Sequence, residues 1–504
     1  MGEAPAIGAP APALLESPVR LKKPTGTAED HGMTSGTATA VAAPTGAPRQ
    51  GTGTHTGAAP AGVAVVAPRL TAAEDDVPTS PVVPLPDDGT RTATYGQLFA
   101  LREYRALFTA DLVSLLGDQI AAVAVAVLLY QRSGSALFAA LGYATAFAPW
   151  FLGGPLLAAW AERRPPRAVL LGCDVARAGL IGLAALPGLP LPLVALLVLV
   201  AAFLAPPFDA VGQSVLVEAL PGDTYPLGAS VRSVVHQVTQ LAGFVAGGAL
   251  IALMGSHRAL AVDAASFLVS AAVLRWGLAA RPAPVDHGAR AAATEGTSEA
   301  TAPSSLLADT VAGIRIVAAD PRLRLPLLTA VVVAATVIVP EAVATAYADS
   351  FGGGPGAVGM IMASTAAGSA LGALVLGRAV SPARRVALLV PLSVASCLLL
   401  GVLLAHPGLV VSLVVFAVAG AASSGMVVAS TLFGRAVAPA VRARAFAVAM
   451  AAMYGGQTAA IVLAGLAATL VAPHLVIAVA GLLGGAACLL IGRDLHRQGP
   501  VAAG

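Results

Sequence analysis

Lysine is almost missing from this chain: Lys22 and Lys23 are its only two, so nearly all of the basic charge is arginine. Charge of either sign is scarce as well, since Asp, Glu, Lys and Arg together make up 11% of 504 residues. A soluble domain carries about 25% because its surface faces water, so a chain with less than half that share has another solvent. Fully 57% of the residues are hydrophobic and the mean hydropathy is +0.82, so that solvent is a lipid bilayer. Other absences narrow the chemistry. Cys173, Cys397 and Cys488 lie far apart inside apolar runs, without CxxC or Cys/His spacing, which implies neither a disulfide framework nor a metal site. P-loop and HExxH motifs are missing, which argues against direct use of ATP and against an intramembrane zinc protease. The stretch GPGAVG, Gly354 to Gly359, spells GxGxxG but follows no strand and belongs to no βαβ unit, so its glycines serve a turn rather than a dinucleotide. A net charge of +3 is too small and scattered for a nucleic-acid partner. No cofactor and no enzymatic activity is expected.

What is present is a series of long apolar runs. Residues 1–95 come first, rich in Ala, Pro, Gly and Thr and without helical or strand periodicity, and read as a disordered tail with neither a signal peptide nor a myristoylation site. From Arg102 onward the runs approach the roughly 20 residues that cross a bilayer as helix. Six are expected at about 106–130, 136–160, 167–188, 190–213, 228–254 and 257–279. A polar, Pro-containing linker at 281–305 separates them from six more at about 322–347, 356–380, 384–405, 408–433, 442–471 and 473–492. The chain thus divides into an N-terminal six-helix bundle (96–280), the linker, a C-terminal six-helix bundle (306–495) and a short tail (496–504). The ten-residue alternation of a membrane β-barrel is absent, so the fold is an all-α membrane protein of twelve transmembrane helices. Arginines cluster in the even-numbered connections, as in Arg163, Arg164 and Arg167 or Arg378, Arg384 and Arg385, while the odd-numbered ones hold little beyond Arg132 and Arg258. By the positive-inside rule the tail, the linker and both termini are cytoplasmic.

The turn between spans two and three, PLLAAWAERRPPRAVLL, resembles the signature loop of the major facilitator superfamily. Glu162 stands where that family usually has Asp, Arg163 and Arg167 match its arginines, and Ala158 replaces the usual Gly. A weaker copy, LGALVLGRAVSPARRVALL, sits at the equivalent place in the second half, with Gly377 in place of the acid. Parallel six-span repeats are how that family is built. SLLGDQIAAVAVAVLL in span one, DVARA in span three, VDAASFLVSAAVL in span six and GPGAVGMIMASTAAGSALGALVLG in span eight resemble the branch of enterobactin and macrolide exporters, over roughly residues 95–495. In span five, QLAGFVAGGALI is similar to the GPxxGG motif of antiporters in the superfamily; Gly243, Gly247 and Gly248 fit, and Phe244 replaces the proline. The resemblance implies a monomeric secondary transporter in the plasma membrane that exports a small amphipathic molecule, an antibiotic, siderophore or other metabolite, by proton antiport. An importer or uniporter on the same fold, and a non-transporting sensor or scaffold, are the other readings.

Charges inside spans cost about 2.5 to 3.5 kcal/mol each on the insertion scale, so each needs a role. Asp118, halfway along span one with no oppositely charged neighbour on its own helix, is a candidate proton site or a helix-helix anchor, with His236 and Glu341 as further proton-coupling candidates. Asp174 and Arg177, at i and i+3 on span three, read as an in-helix ion pair near the cytoplasmic rim, forming a conformational latch with Glu162, Arg163 and Arg167. Arg232, His236 and Gln240 recur every four residues on span five, with Gln237 beside them, making a polar stripe suited to a water-filled cavity. The resemblance adds Gln213, Ser423, Ser424, Tyr454 and Gln457 as cavity-lining candidates. At 5% aromatic residues, few rings are available to grip a flat ligand.

Overall fold

The computed structural model describes residues 94–153, 157, 160–161, 163–220, 224–282 and 306–497. The expected tail, the linker from 283 to 305 and Glu162 lie outside the described residues, as do the last seven. Every described element is helical, as expected of an all-α membrane protein. Ten helices among the described residues are long and apolar enough to cross a membrane. Span two falls partly outside the described residues, and span three, Pro166–Ala184, packs Arg167, Asp174 and Arg177 into nineteen residues.

The long, uninterrupted spans are those whose sequences carry no proline beyond the first turn or two: span one, Arg102–Ser133; span five, Thr224–Met254; span six, Ser256–Gly277; span eight, Pro355–Ala379; span eleven, Arg442–Ala467; and span twelve, Pro473–Arg497. Spans two, four, seven and ten, with a proline or a small polar pair near the middle, are in pieces, whereas span nine keeps Pro391 inside the unbroken helix Pro382–Leu398. Proline lacks the N–H of the i→i−4 bond and its ring crowds the preceding turn. Span two is therefore Ala136–Ala144 and Ala148–Leu152, restarting at Pro149, and span four is Leu191–Ala202 and Ala205–Ala219, restarting at Pro206 and Pro207. Span seven is Pro321–Val337, Val339–Ala342 and Ala344–Asp349, restarting at Pro340. Span ten, Leu409–Ala422 and Gly425–Ala436, breaks at Ser423 and Ser424. Span nine, Pro382–Leu398, tightens into a 3-10 turn over Leu399–Ala405 and stops at His406, whose φ of 46° is left-handed.

Two helices were not foreseen. Tyr95–Ala100 precedes span one, held by a capping box between Thr94 and Gln97. Leu306–Ala319 precedes span seven and lies against span eleven, where a Cβ on Gly313 would meet Val448 at 2.8 Å and the Arg444 carbonyl at 3.1 Å.

The apolar cores show how the halves meet. At the arginine-rich end each half has its own: Tyr104, Leu170, Val215 and Leu274 belong to one cluster drawn from spans one to six, and Leu323, Phe433 and Ala445 to another drawn from the second half. At the far end one cluster unites both halves, joining Val123, Leu129, Tyr143 and Phe244 to Val339, Tyr347, Ile361, Phe416 and Ile461. The molecule is sealed at one end and parted at the other.

Candidate functional site

Between the parted ends lies a cavity of about 560 Å³, walled by all six spans of the first half and, from the second, by Met450 and Tyr454 of span eleven. That volume is in the range of small-molecule sites. Polar residues reach it from every span of the first half. The expected stripe of span five, Arg232, His236, Gln237 and Gln240, faces it, as do Gln213 of span four and Asp118 of span one. Asp111 and Asp209, not among the expected site residues, also line it.

Two arginine-centred groups organise these charges. Near the mouth, Arg232 donates from Nε to Asp111 (2.7 Å) and from Nη2 to Asp209 (2.7 Å), tying spans one, four and five. Deeper, Arg177 donates from Nη2 to Oδ1 of Asp118, tying span three to span one. Its guanidinium lies 4.0 Å from the Phe267 ring centroid of span six, a cation–π contact. Asp174 accepts from Ser270 at 2.6 Å, and Asp263 accepts from Ser266 at 3.3 Å.

The in-helix pair expected between Asp174 and Arg177 is thus replaced by cross-helix partners, and both residues sit at mid-span rather than at the rim. The reason is depth. At about 1.5 Å per residue, Asp118 lies about 24 Å in from Arg102, Arg177 about 17 Å from Pro166 and Asp263 about 21 Å from Gly277, so a guanidinium on its flexible stem reaches the span-one carboxylate. The rest of the expected latch is elsewhere. Arg163 is exposed in the turn, Arg167 donates to the carbonyl of Arg275 at the end of span six, and Glu162 lies outside the described residues. In the second half Arg385 does similar work, donating to the carbonyls of Gly377 (2.6 Å) and Val380 (2.8 Å). These arginines satisfy the open carbonyls of helix C-termini.

Glu341 is 6% exposed in the far-end seal, where its Oε2 accepts from Tyr143 at 2.5 Å across the two halves. Tyr130 donates likewise to Asp349 at 3.0 Å. Ser423, Ser424 and Gln457 do not line the cavity. Span ten lies backbone to backbone on span eight, with Gly368 and Gly372 against Ala417 and Ala421, which buries both serines; Ser423 donates to its own helix at Gly420 (2.6 Å) and pairs with Ser369 (3.2 Å). The span-five glycines make close packing: a Cβ on Gly243 would meet Gln119 at 2.5 Å, one on Gly247 would meet Ile120 at 3.1 Å, and one on Gly248 would meet Gly359 and the Pro355 carbonyl at 2.9 Å.

Aromatic rings are the main surprise. Few as they are in sequence, they gather here: Trp150 stacks on Tyr454 with centroids 5.4 Å apart, Phe147 lies 5.4 Å from Tyr143 and 6.4 Å from Tyr454, and Phe208 and Phe267 complete the wall. Trp150 and Phe147 were missed because rings spaced three apart on a broken span read as ordinary core.

No protein-family model matches the chain, and no curated protein does. Its shape, however, is similar to that of solved transporters. The nucleoside transporter NupG superposes with a TM-score of 0.58 at 14% identity, over 78% of this chain and 100% of that one. A bacterial homologue of the human lysosomal transporter Spinster, inward-facing and occupied, gives 0.56 at 15% identity, over 77% and 96%. A peptide transporter POT in complex with sulfate gives 0.59 at 12% identity, over 81% and 96%. At such identities the likeness establishes the fold.

Proposed function

We propose that the protein is a secondary active exporter in the plasma membrane, carrying a small amphipathic molecule by proton antiport and alternating access, with both termini cytoplasmic. The observation that carries this reading is the cavity itself: a mixed aromatic and ionic chamber between two halves that share a core at one end and part at the other. In the proposed orientation the arginine-rich opening faces the cytoplasm, so this is the loading state of an exporter. Export rather than import rests on the sequence resemblance and on the span-five glycines.

Coupling is assigned to Asp118, which meets the cavity and the Arg177 guanidinium at once. A proton on Asp118 removes half of that ion pair and frees Arg177, so proton entry and a change in the span-one to span-three contact are one event. Glu341, bridged to Tyr143 across the seal, is placed to act on far-end opening.

The experiment is flux in proteoliposomes under an imposed pH gradient, with candidate amphipathic substrates found by comparing medium and cell metabolites with and without the protein. Asp118→Asn is expected to abolish gradient-driven flux while the protein still purifies folded. Unchanged flux would remove Asp118 from the mechanism, and uptake by right-side-out vesicles without efflux would turn the reading to import.

A further inference from the structure

The deep ionic group is unbalanced. Among the described residues, Arg177 interacts electrostatically with three carboxylates, Asp118, Asp174 and Asp263. It bonds only the first, and Asp118 is also the one most open to the cavity, with its side chain 30% exposed. Asp174 and Asp263 are 0% and 1% exposed. One oxygen of each, Oδ1 of Asp174 and Oδ2 of Asp263, is buried without a hydrogen-bond partner, and so is Nε of Arg177. An unfilled donor thus lies among unfilled acceptors. Buried ionic groups in that condition are costly, because each lost partner leaves a desolvated charge. The arrangement becomes economical if Arg177 has a second position, on Asp263 and Asp174, and something else takes its place on Asp118.

What takes its place must be positive. The cavity wall as a whole carries four carboxylates, Asp111, Asp118, Asp209 and Asp263, against two guanidiniums, Arg177 and Arg232. Both guanidiniums are already engaged. The rings of Trp150, Tyr454 and Phe147 stand in the same chamber and offer flat apolar faces, which attract a cation as well as an apolar body.

We propose that the cargo is an organic cation with an aromatic or otherwise flat apolar body, whose positive group docks on Asp118 and displaces Arg177 onto Asp263 and Asp174. This deepens the transporter reading and rests on it for the word cargo, but the binding claim is independent of flux. Cargo and proton then compete for one carboxylate, which is the simplest way for one to be exchanged for the other.

The test uses two probes of matched shape and opposite charge, tetraphenylphosphonium and tetraphenylborate, titrated onto the full-length protein in lipid nanodiscs with empty nanodiscs as the blank. The phosphonium is expected to bind at least about tenfold more tightly than the borate. Asp118→Asn should weaken phosphonium binding about tenfold, while Asp118→Glu keeps most of it. Asp263→Asn, which removes a landing site for Arg177 rather than a contact to the probe, should weaken it to a smaller extent. Tighter or equal binding of the borate, binding of neither ion, or unchanged phosphonium affinity in a folded Asp118→Asn protein overturns the proposal. Phosphonium binding without any gradient-driven flux would leave it standing and sink the transporter reading instead. Flux of a neutral or anionic amphipath by a protein blind to phosphonium would do the reverse.

Discussion

Arg232 holds two carboxylates with one side chain, and its environment makes that arrangement sensitive. Its own side chain is 19% exposed and that of Asp111 is 13%, so removing the guanidinium strands a largely desolvated acid. Breaking such a pair from one side costs up to about 3 kcal/mol, whereas neutralising both partners costs far less. Arg232→Gln should therefore lower the thermal unfolding midpoint of the detergent-purified protein, and the double variant with Asp111→Asn should recover most of the loss. A single variant as stable as the parent would show that water already screens the site. Tyr143 is a second such residue. Its hydroxyl donates to Glu341 inside the seal, so Tyr143→Phe leaves a buried carboxylate oxygen without that donor, at a cost of about 1–3 kcal/mol to the closed far end. A cysteine in place of buried Val343 should then label more readily from the far side, and an unaltered labelling rate would refute a gating role for the tyrosine.

Pairs of helices, rather than single side chains, set how closely the halves meet. Spans five and eight touch through glycine on both sides, with Gly248 on one and Gly359 on the other. A side chain at Gly248 must push backbone aside, since its nearest neighbours are a Cα and a carbonyl oxygen at 2.9 Å. Gly248→Val should loosen the far-end seal and depress transport. Gly172→Ala on span three, where nothing lies within 4 Å of the added atom, should do neither. Equal behaviour of the two variants would mean that the span-five contact is incidental. Helix ends were largely legible beforehand, because prolines, arginines and the length of each apolar run mark them: span five was placed at 228–254 and runs Thr224–Met254. The Asp118–Arg177 pairing was not, because periodicity on one helix says nothing about which neighbour it faces. Depth offered a signal, an acid and a base both several turns in from their arginine-rich ends on spans one and three. The burial of Ser423 and Ser424 had none, since it follows from how closely spans eight and ten approach.

The molecule as a whole shares a core at one end and parts at the other, and solvent access should report which end is open. Gln213 lines the cavity and is exposed, whereas Cys173, Cys397 and Cys488 are all buried. Gln213→Cys should therefore react with a membrane-impermeant maleimide from the arginine-rich side alone, over a low native background. Reaction from the far side alone would reverse the proposed orientation. The cavity charges carry a last consequence. With four carboxylates against two guanidiniums, the unloaded chamber carries up to two surplus negative charges. If access to it switches from one face to the other, those charges change their place in the membrane field, at about 2.3 kcal/mol per elementary charge per 100 mV crossed in full. An inside-negative potential then favours reorientation of the empty protein toward the exterior, and voltage becomes a reactant in the proposed cycle alongside the proposed pH gradient.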